Sequence, residues 1–85
     1  MPPIAVRIAD ATLYVTFEGG REIATPVASF SRLRDATPSQ VDNWRLIGSG
    51  DGIHWPVLDE DISLEWLVRY GQDNRPKNSQ ISNTN

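Results

Sequence analysis

The sequence predicts a small α+β domain: an antiparallel sheet, built from a three-stranded N-terminal meander plus a short hairpin, with two or three short helices. Three observations predict it. Apolar residues alternate with polar or small ones from Ile4 to Phe17, the period of a half-buried strand. Turn residues recur at Asp10-Ala11, Glu18-Gly19-Gly20 and Gly48-Ser49-Gly50-Asp51. Two later stretches, opening at Thr37 and at Ser63, carry helix-start signals followed by apolar residues at helical spacing.

Taken in order, Ile4, Val6 and Ile8 give the first strand one apolar face, and Leu13, Val15 and Phe17 do the same for the second. Gly19 and Gly20 supply a turn where positive φ costs no Cβ clash. Arg21 to Thr25 then returns as a third strand with Ile23 inward, and Pro26, which has no N–H for a ladder, weakens pairing there. Ser29 to Ala36 spaces Phe30 and Leu33 for one helical turn. Thr37-Pro38-Ser39-Gln40 matches a capping box with proline at the first helical position. Val41 and Trp44, three apart, are expected to share a face of that helix. Trp44–Ile47 and Gly52–Trp55 read as a hairpin closed by the loop 48–51. That loop lacks the spacing of the known phosphate-binding glycine motifs, which favours a simple turn.

After Trp55-Pro56 an acidic elbow, Asp59-Glu60-Asp61, is expected to lead directly into a helix. Ser63 is its N-cap, Ile62 and Leu67 form a hydrophobic staple, Glu65 and Arg69 make an i,i+4 pair, and Gly71 is the C-cap. Leu64, Leu67 and Val68 form its apolar stripe. The expected organisation is one domain over residues 1–71 and a flexible polar tail over 72–85, whose one aliphatic residue is Ile81.

At 85 residues the chain supports one small domain with modest burial. The three tryptophans, Trp44, Trp55 and Trp66, are expected to dominate the core, with Trp66 the best candidate for an exposed anchor. Cysteine is absent, which excludes disulfides and thiolate metal sites and is compatible with a reducing cytoplasm. No membrane span or signal peptide is read, so a cytoplasmic location is expected. The formal net charge of −3 and the single lysine, Lys77, argue against direct nucleic-acid binding.

Candidate chemistry concentrates in residues 51–65, where Asp51, Asp59, Glu60, Asp61 and Glu65 stand without a neighbouring Lys or Arg. A hard-cation site would use such oxygens, but the EF-hand spacing is absent. A catalytic carboxylate pair needs a cleft that adjacent positions do not make. The simplest reading is acids near a helix N-terminus, with an acidic docking patch for a basic partner as the alternative. His54, the only histidine, makes no metal site alone, and neither Ser49 nor Ser63 sits in a nucleophile elbow. Arg32, Arg34 and Arg45 are read as a small basic patch near Trp44. No catalytic residue, metal site or cofactor is assigned. His54, Trp55, Asp59, Glu60, Asp61 and Trp66 are singled out as residues of a structural elbow or an interaction surface.

The runs Leu13-Tyr14-Val15-Thr16-Phe17, Phe30-Ser31-Arg32-Leu33, Ala36-Thr37 and, above all, Ile53-His54-Trp55-Pro56-Val57-Leu58-Asp59-Glu60-Asp61-Ile62-Ser63 carry a resemblance. Over about residues 4–70 the chain resembles the domain-of-unknown-function family 2442, small bacterial proteins. The resemblance implies a small α+β domain. In some relatives a similar domain precedes a helix-turn-helix DNA-binding domain, and no room for one is read after Gly71. Members also resemble neighbours of toxin-like small proteins, which implies an antitoxin or accessory role. The expectation is therefore a non-enzymatic interaction module, the antitoxin or accessory half of a toxin–antitoxin pair. Its partner is expected to be another small protein encoded nearby, basic if the acidic stretch is the contact. A homodimer is also compatible with a free sheet edge. The alternatives are a DNA-regulatory accessory working with a helix-turn-helix partner, and a metal-binding protein using the acidic 51–65 region.

Overall fold

A computed structural model describes residues 2–48 and 50–74. The expected meander is present: β1 (Pro3–Ala9), β2 (Thr12–Phe17) and β3 (Glu22–Pro26) pair in sequence, all antiparallel. Leu13, Val15 and Phe17 are buried while Thr12, Tyr14 and Thr16 are half-buried, so the period of two becomes an inner and an outer face. The β1–β2 turn is closed by Asp10 and Ala11, both at positive φ (52° and 59°). That is a type I′ hairpin turn, whose twist matches the strands it joins.

One expected core position moves. A register irregularity between Pro3 and Ala5 opposes one extra residue to β2. A bulge of this kind switches which side chains face inward. Pro3, opposite Phe17, is buried, and Ile4 is turned out at 57% exposure.

Gln72 and Asp73, read from sequence as the first residues of the tail, form β7 and pair with Ala24 and Ile23. Asn74 continues the contact, its backbone N–H donating to the Glu22 carbonyl at 2.8 Å and its side-chain Nδ2 to Glu22 Oε1 at 2.7 Å. The sheet order is thus β1-β2-β3-β7. Backbone pairing and the Glu22 carboxylate hold these residues, so apolar content was no guide to them. The remainder of the expected tail, 75–85, lies outside the described residues.

A second sheet has the order β4-β5-β6: β4 (Arg45–Ile47), β5 (Gly52–Trp55) and β6 (Glu60–Ser63). The β4–β5 hairpin agrees with the sequence reading. β6 does not: Glu60 to Ser63 run as a strand antiparallel to β5 instead of passing straight into a helix. Opposite Ile53, Ile62 has a core-facing neighbour that makes pairing more favourable than an early helix turn.

A 3-10 turn (Val27–Ser29), α1 (Ser31–Arg34) and α2 (Pro38–Asp42) connect the sheets, and α3 (Leu64–Tyr70) follows β6. The capping box on α2 forms in both directions, with Gln40 N–H donating to Thr37 Oγ1 at 3.2 Å and Thr37 N–H to Gln40 Oε1 at 2.9 Å. Trp44 lies past the end of α2, so it does not share a helix face with Val41; it packs, half-buried, on the core from the connecting segment. On α3, Ser63 caps the Trp66 N–H, and the staple residues Ile62 and Leu67 are both buried. Val68, expected in the apolar stripe, is 48% exposed.

Gly71 ends α3 as expected, for a different reason. Its φ is −77°, a conformation open to any residue. A Cβ there would stand 2.6 Å from the Leu67 carbonyl oxygen and run into Ile23, so close packing of α3 on β3 requires glycine.

One core unites both sheets: Val6, Leu13, Val15 and Ile23 from the first, Ile53, Trp55 and Ile62 from the second, and Val27, Leu33, Val41 and Leu67 from the helices and the 3-10 turn. Trp55 is fully buried, and its indole N–H donates to the Val41 carbonyl at 2.9 Å. That bond satisfies a carbonyl in the last turn of α2 and ties the helix to the second sheet. Among the described residues no helix is long and apolar enough to cross a membrane.

Candidate functional site

The residues that look most reactive surround the turn between β5 and β6. Trp55 opposite Glu60 closes it, leaving Pro56, Val57, Leu58 and Asp59 as the loop. Pro56 ends the strand, Leu58 tucks against the core, and Asp59 takes a left-handed conformation (φ 55°), which aspartate tolerates better than most residues. The turn is latched from outside by α1. Arg32 donates from its guanidinium to the Asp59 carbonyl at 2.8 Å, and its charge sits 3.6 Å from the Asp59 carboxylate. The Arg32 backbone N–H donates to Glu60 Oε1 at 3.3 Å, satisfying a donor that the first residues of a helix leave free. Both side chains of the ion pair are largely exposed, so it contributes at most about 1 kcal/mol. Its effect is geometric: it fixes where the turn stands against α1.

His54 and Asp61 are directly opposed across β5 and β6, and they pair through Nδ1 and Oδ1. A carboxylate on one imidazole nitrogen is also how a hydrolytic histidine is oriented, but the third partner is engaged elsewhere. Ser63 Oγ accepts the Trp66 N–H as the α3 cap, and Ser49 lies outside the described residues. Glu65 and Arg69 form the expected i,i+4 pair at 3.6 Å. Of the five acids between 51 and 65, Asp59 and Glu60 therefore meet Arg32, Asp61 meets His54 and Glu65 meets Arg69. Asp51 contributes its backbone carbonyl to the Leu64 N–H at 3.0 Å. Among the described residues no group of three or more His, Cys, Asp or Glu side chains converges as a metal site would. The acids lie along a strand and a turn, dispersed by the pleat and by their separate partners. Arg32, expected as part of a basic patch near Trp44, is engaged with Asp59 and Glu60.

The glycine loop behaves as a turn. Gly48 and Gly50 have positive φ (58° and 98°), and the N–H groups of Gly50 and Asp51 both donate to the Ile47 carbonyl at 3.0 Å. Amides aimed at Ile47 are not available to a phosphate.

Of the six residues singled out, His54, Asp59, Glu60 and Asp61 gather at this elbow, and Trp55 lies beneath it in the core. Trp66 stands apart on α3. It is half-buried, meeting Phe30 edge-on (centroids 5.4 Å apart, planes at 79°) and Tyr70 at 5.4 Å and 44°. Tyr70 is 62% exposed. Ser63, Glu65, Trp66, Arg69 and Tyr70 line a shallow groove of about 310 Å³ beside this row. The Trp66–Tyr70 spacing of four residues was a usable sequence signal for the row; the Phe30 contact was not, because it joins α1 to α3.

This geometry defines a small α+β domain of two antiparallel sheets around one core, with an ion-paired elbow and an aromatic helix face. Residues 3–73 match the model of the family described as "Protein of unknown function (DUF2442)", and the chain belongs to that family. Two runs that carried the resemblance, Phe30–Leu33 and Ile53–Ser63, are the two that Arg32 brings together. A crystal structure of a protein of unknown function from Rhodospirillum rubrum ATCC 11170 is similar in fold, with 30% sequence identity, a TM-score of 0.59 and coverage of 80% of this chain and 84% of that one. No curated protein matches the sequence.

Proposed function

We propose that this protein is a non-enzymatic protein-interaction module whose partner is a small protein encoded nearby, in the manner of the antitoxin or accessory half of a toxin–antitoxin pair. The observation that carries the reading is the α3 face. Tyr70 is exposed at 62%, the Phe30–Trp66–Tyr70 row braces it from behind, and Arg69 lines the same groove. A rigid aromatic side chain at a surface, with an arginine beside it, is the composition of an interface hot spot. The elbow side chains, in this reading, serve to hold the scaffold that presents α3.

The test is co-expression of the tagged full chain with the product of the adjacent gene. Wild type is expected to co-purify it in fixed stoichiometry. A Tyr70→Ala variant, shown to be folded by circular dichroism, is expected to lose it. The reading fails if the adjacent product does not bind wild type, or if Tyr70→Ala binds it as well as wild type does.

A further inference from the structure

The two sheets end in four edge strands: β1 and β7 in one, β4 and β6 in the other. Free edges invite pairing with other chains, and proteins blunt them with proline, charge, bulges, brevity or a covering element. Three of these edges are blunted. β1 begins at Pro3, carries a bulge, exposes Arg7 and has α2 packed beside it. β7 is two polar residues long. β6 carries Glu60 and Asp61 and runs directly into α3. Among the described residues β4 has none of these protections past its first residue: after Arg45 come Leu46 and Ile47, 42% and 38% exposed. Leu46 is exposed for a specific reason. It lies opposite Ile53, which lies opposite Ile62, so all three share the inner face. Ile53 and Ile62 are buried, and Leu46 is not, because among the described residues no strand continues the sheet beyond β4.

We propose that a second copy of this chain continues it, β4 pairing antiparallel with β4 about a two-fold axis at Leu46. A two-fold contact between identical edges is self-complementary, and the pleat permits only registers that keep inner residues opposite inner residues. Three such registers exist for so short a strand. Arg45 against Arg45 opposes like charges. Ile47 against Ile47 places Leu46 against Gly48, whose φ of 58° has already left the strand. Leu46 against Leu46 puts each Arg45 opposite an Ile47 and joins the inner rows into Ile62–Ile53–Leu46–Leu46–Ile53–Ile62. Charge also suits a second copy, although each carries a net −3. The combined order β6-β5-β4-β4-β5-β6 sends the acidic β6 strands to opposite ends, about 24 Å apart at roughly 4.8 Å per strand, beyond the Debye length of about 8 Å at physiological salt. A contact of three residues a side is short, so the association is weak and concentration-dependent. This inference concerns β4 and is independent of the α3 reading above.

The experiment is sedimentation equilibrium on the full chain over about 10 µM to 1 mM, together with single-cysteine crosslinking, which the absence of native cysteine makes clean. Wild type is expected to shift from monomer to dimer across that range, and Leu46→Glu to weaken the association roughly tenfold or more by opposing two carboxylates and removing the leucine contact. Under mild oxidation Leu46→Cys is expected to give covalent dimer. Arg45→Cys and Ile47→Cys are expected to give little separately but to crosslink when mixed with each other. A monomer throughout the range, dimerisation unchanged by Leu46→Glu, or equal self-crosslinking at 45, 46 and 47 would each overturn the proposal. If Leu46→Glu fails to fold, the cysteine pattern alone decides.

Discussion

Replacing Trp55 tests the link between the second sheet and α2. The ring has no exposed surface, and its N–H is bonded to the Val41 carbonyl at 2.9 Å. Truncating a buried tryptophan to alanine costs about 3–5 kcal/mol in transfer and cavity terms. A domain of this size holds roughly 4–13 kcal/mol in total at typical values per residue, so Trp55→Ala removes from a quarter to all of it. Trp55→Phe separates the two contributions. It keeps most of the ring and deletes the donor, leaving the Val41 carbonyl unpartnered at a cost of about 1–3 kcal/mol. Urea unfolding followed by far-ultraviolet circular dichroism is the assay, since Trp44 and Trp66 complicate fluorescence. With a slope of about 1–2 kcal/mol per molar urea, Trp55→Phe should lower the midpoint by about 0.5–3 M without changing the slope. A Trp55→Ala loss below about 1 kcal/mol would refute the placement of the ring in the core. A Trp55→Phe midpoint equal to wild type would show that the Val41 bond contributes nothing.

Other substitutions probe the backbone and the elbow. Gly71→Ala is expected to destabilise by about 1–3 kcal/mol through overpacking against Ile23 and the Leu67 carbonyl, even though the φ there suits alanine; thermal unfolding measures it, and a neutral result would mean that α3 shifts freely on β3. Ala11→Gly should stabilise by about 0.5–1 kcal/mol, because relief of the left-handed alanine exceeds glycine's added chain entropy; a lowered melting temperature would contradict that. Arg32→Ala should cost under about 1 kcal/mol globally yet speed hydrogen exchange in the β5–β6 turn, since the latch holds the turn more than the fold. Titration with Ca²⁺, Mg²⁺ or Mn²⁺ should leave the melting temperature unchanged, because Arg32, His54 and Arg69 already engage four of the acids; a shift abolished by Asp59→Asn with Asp61→Asn would restore the metal reading.

The amino-acid order by itself determined those elements whose causes are local. The two-residue period of β2, the turn at Asp10-Ala11, the reciprocal cap of Thr37 and Gln40 and the Ser63 cap with its Ile62–Leu67 staple all act within a few residues. Tertiary structure decided the rest. β6 exists because Ile53 stands opposite Ile62, and β7 because backbone pairing with β3 and the Glu22 carboxylate hold it, and no local propensity in Glu60–Ser63 or Gln72–Asp73 announces a strand. Ile4 turned outward because a bulge reset the pleat. Asp59 and Glu60, which read as part of an unpaired acidic run, found Arg32 from 27 and 28 residues away, and so became ties within the fold. Pairing across such distances depends on which surfaces the chain brings together, and a period of two or of 3.6 residues carries no record of that.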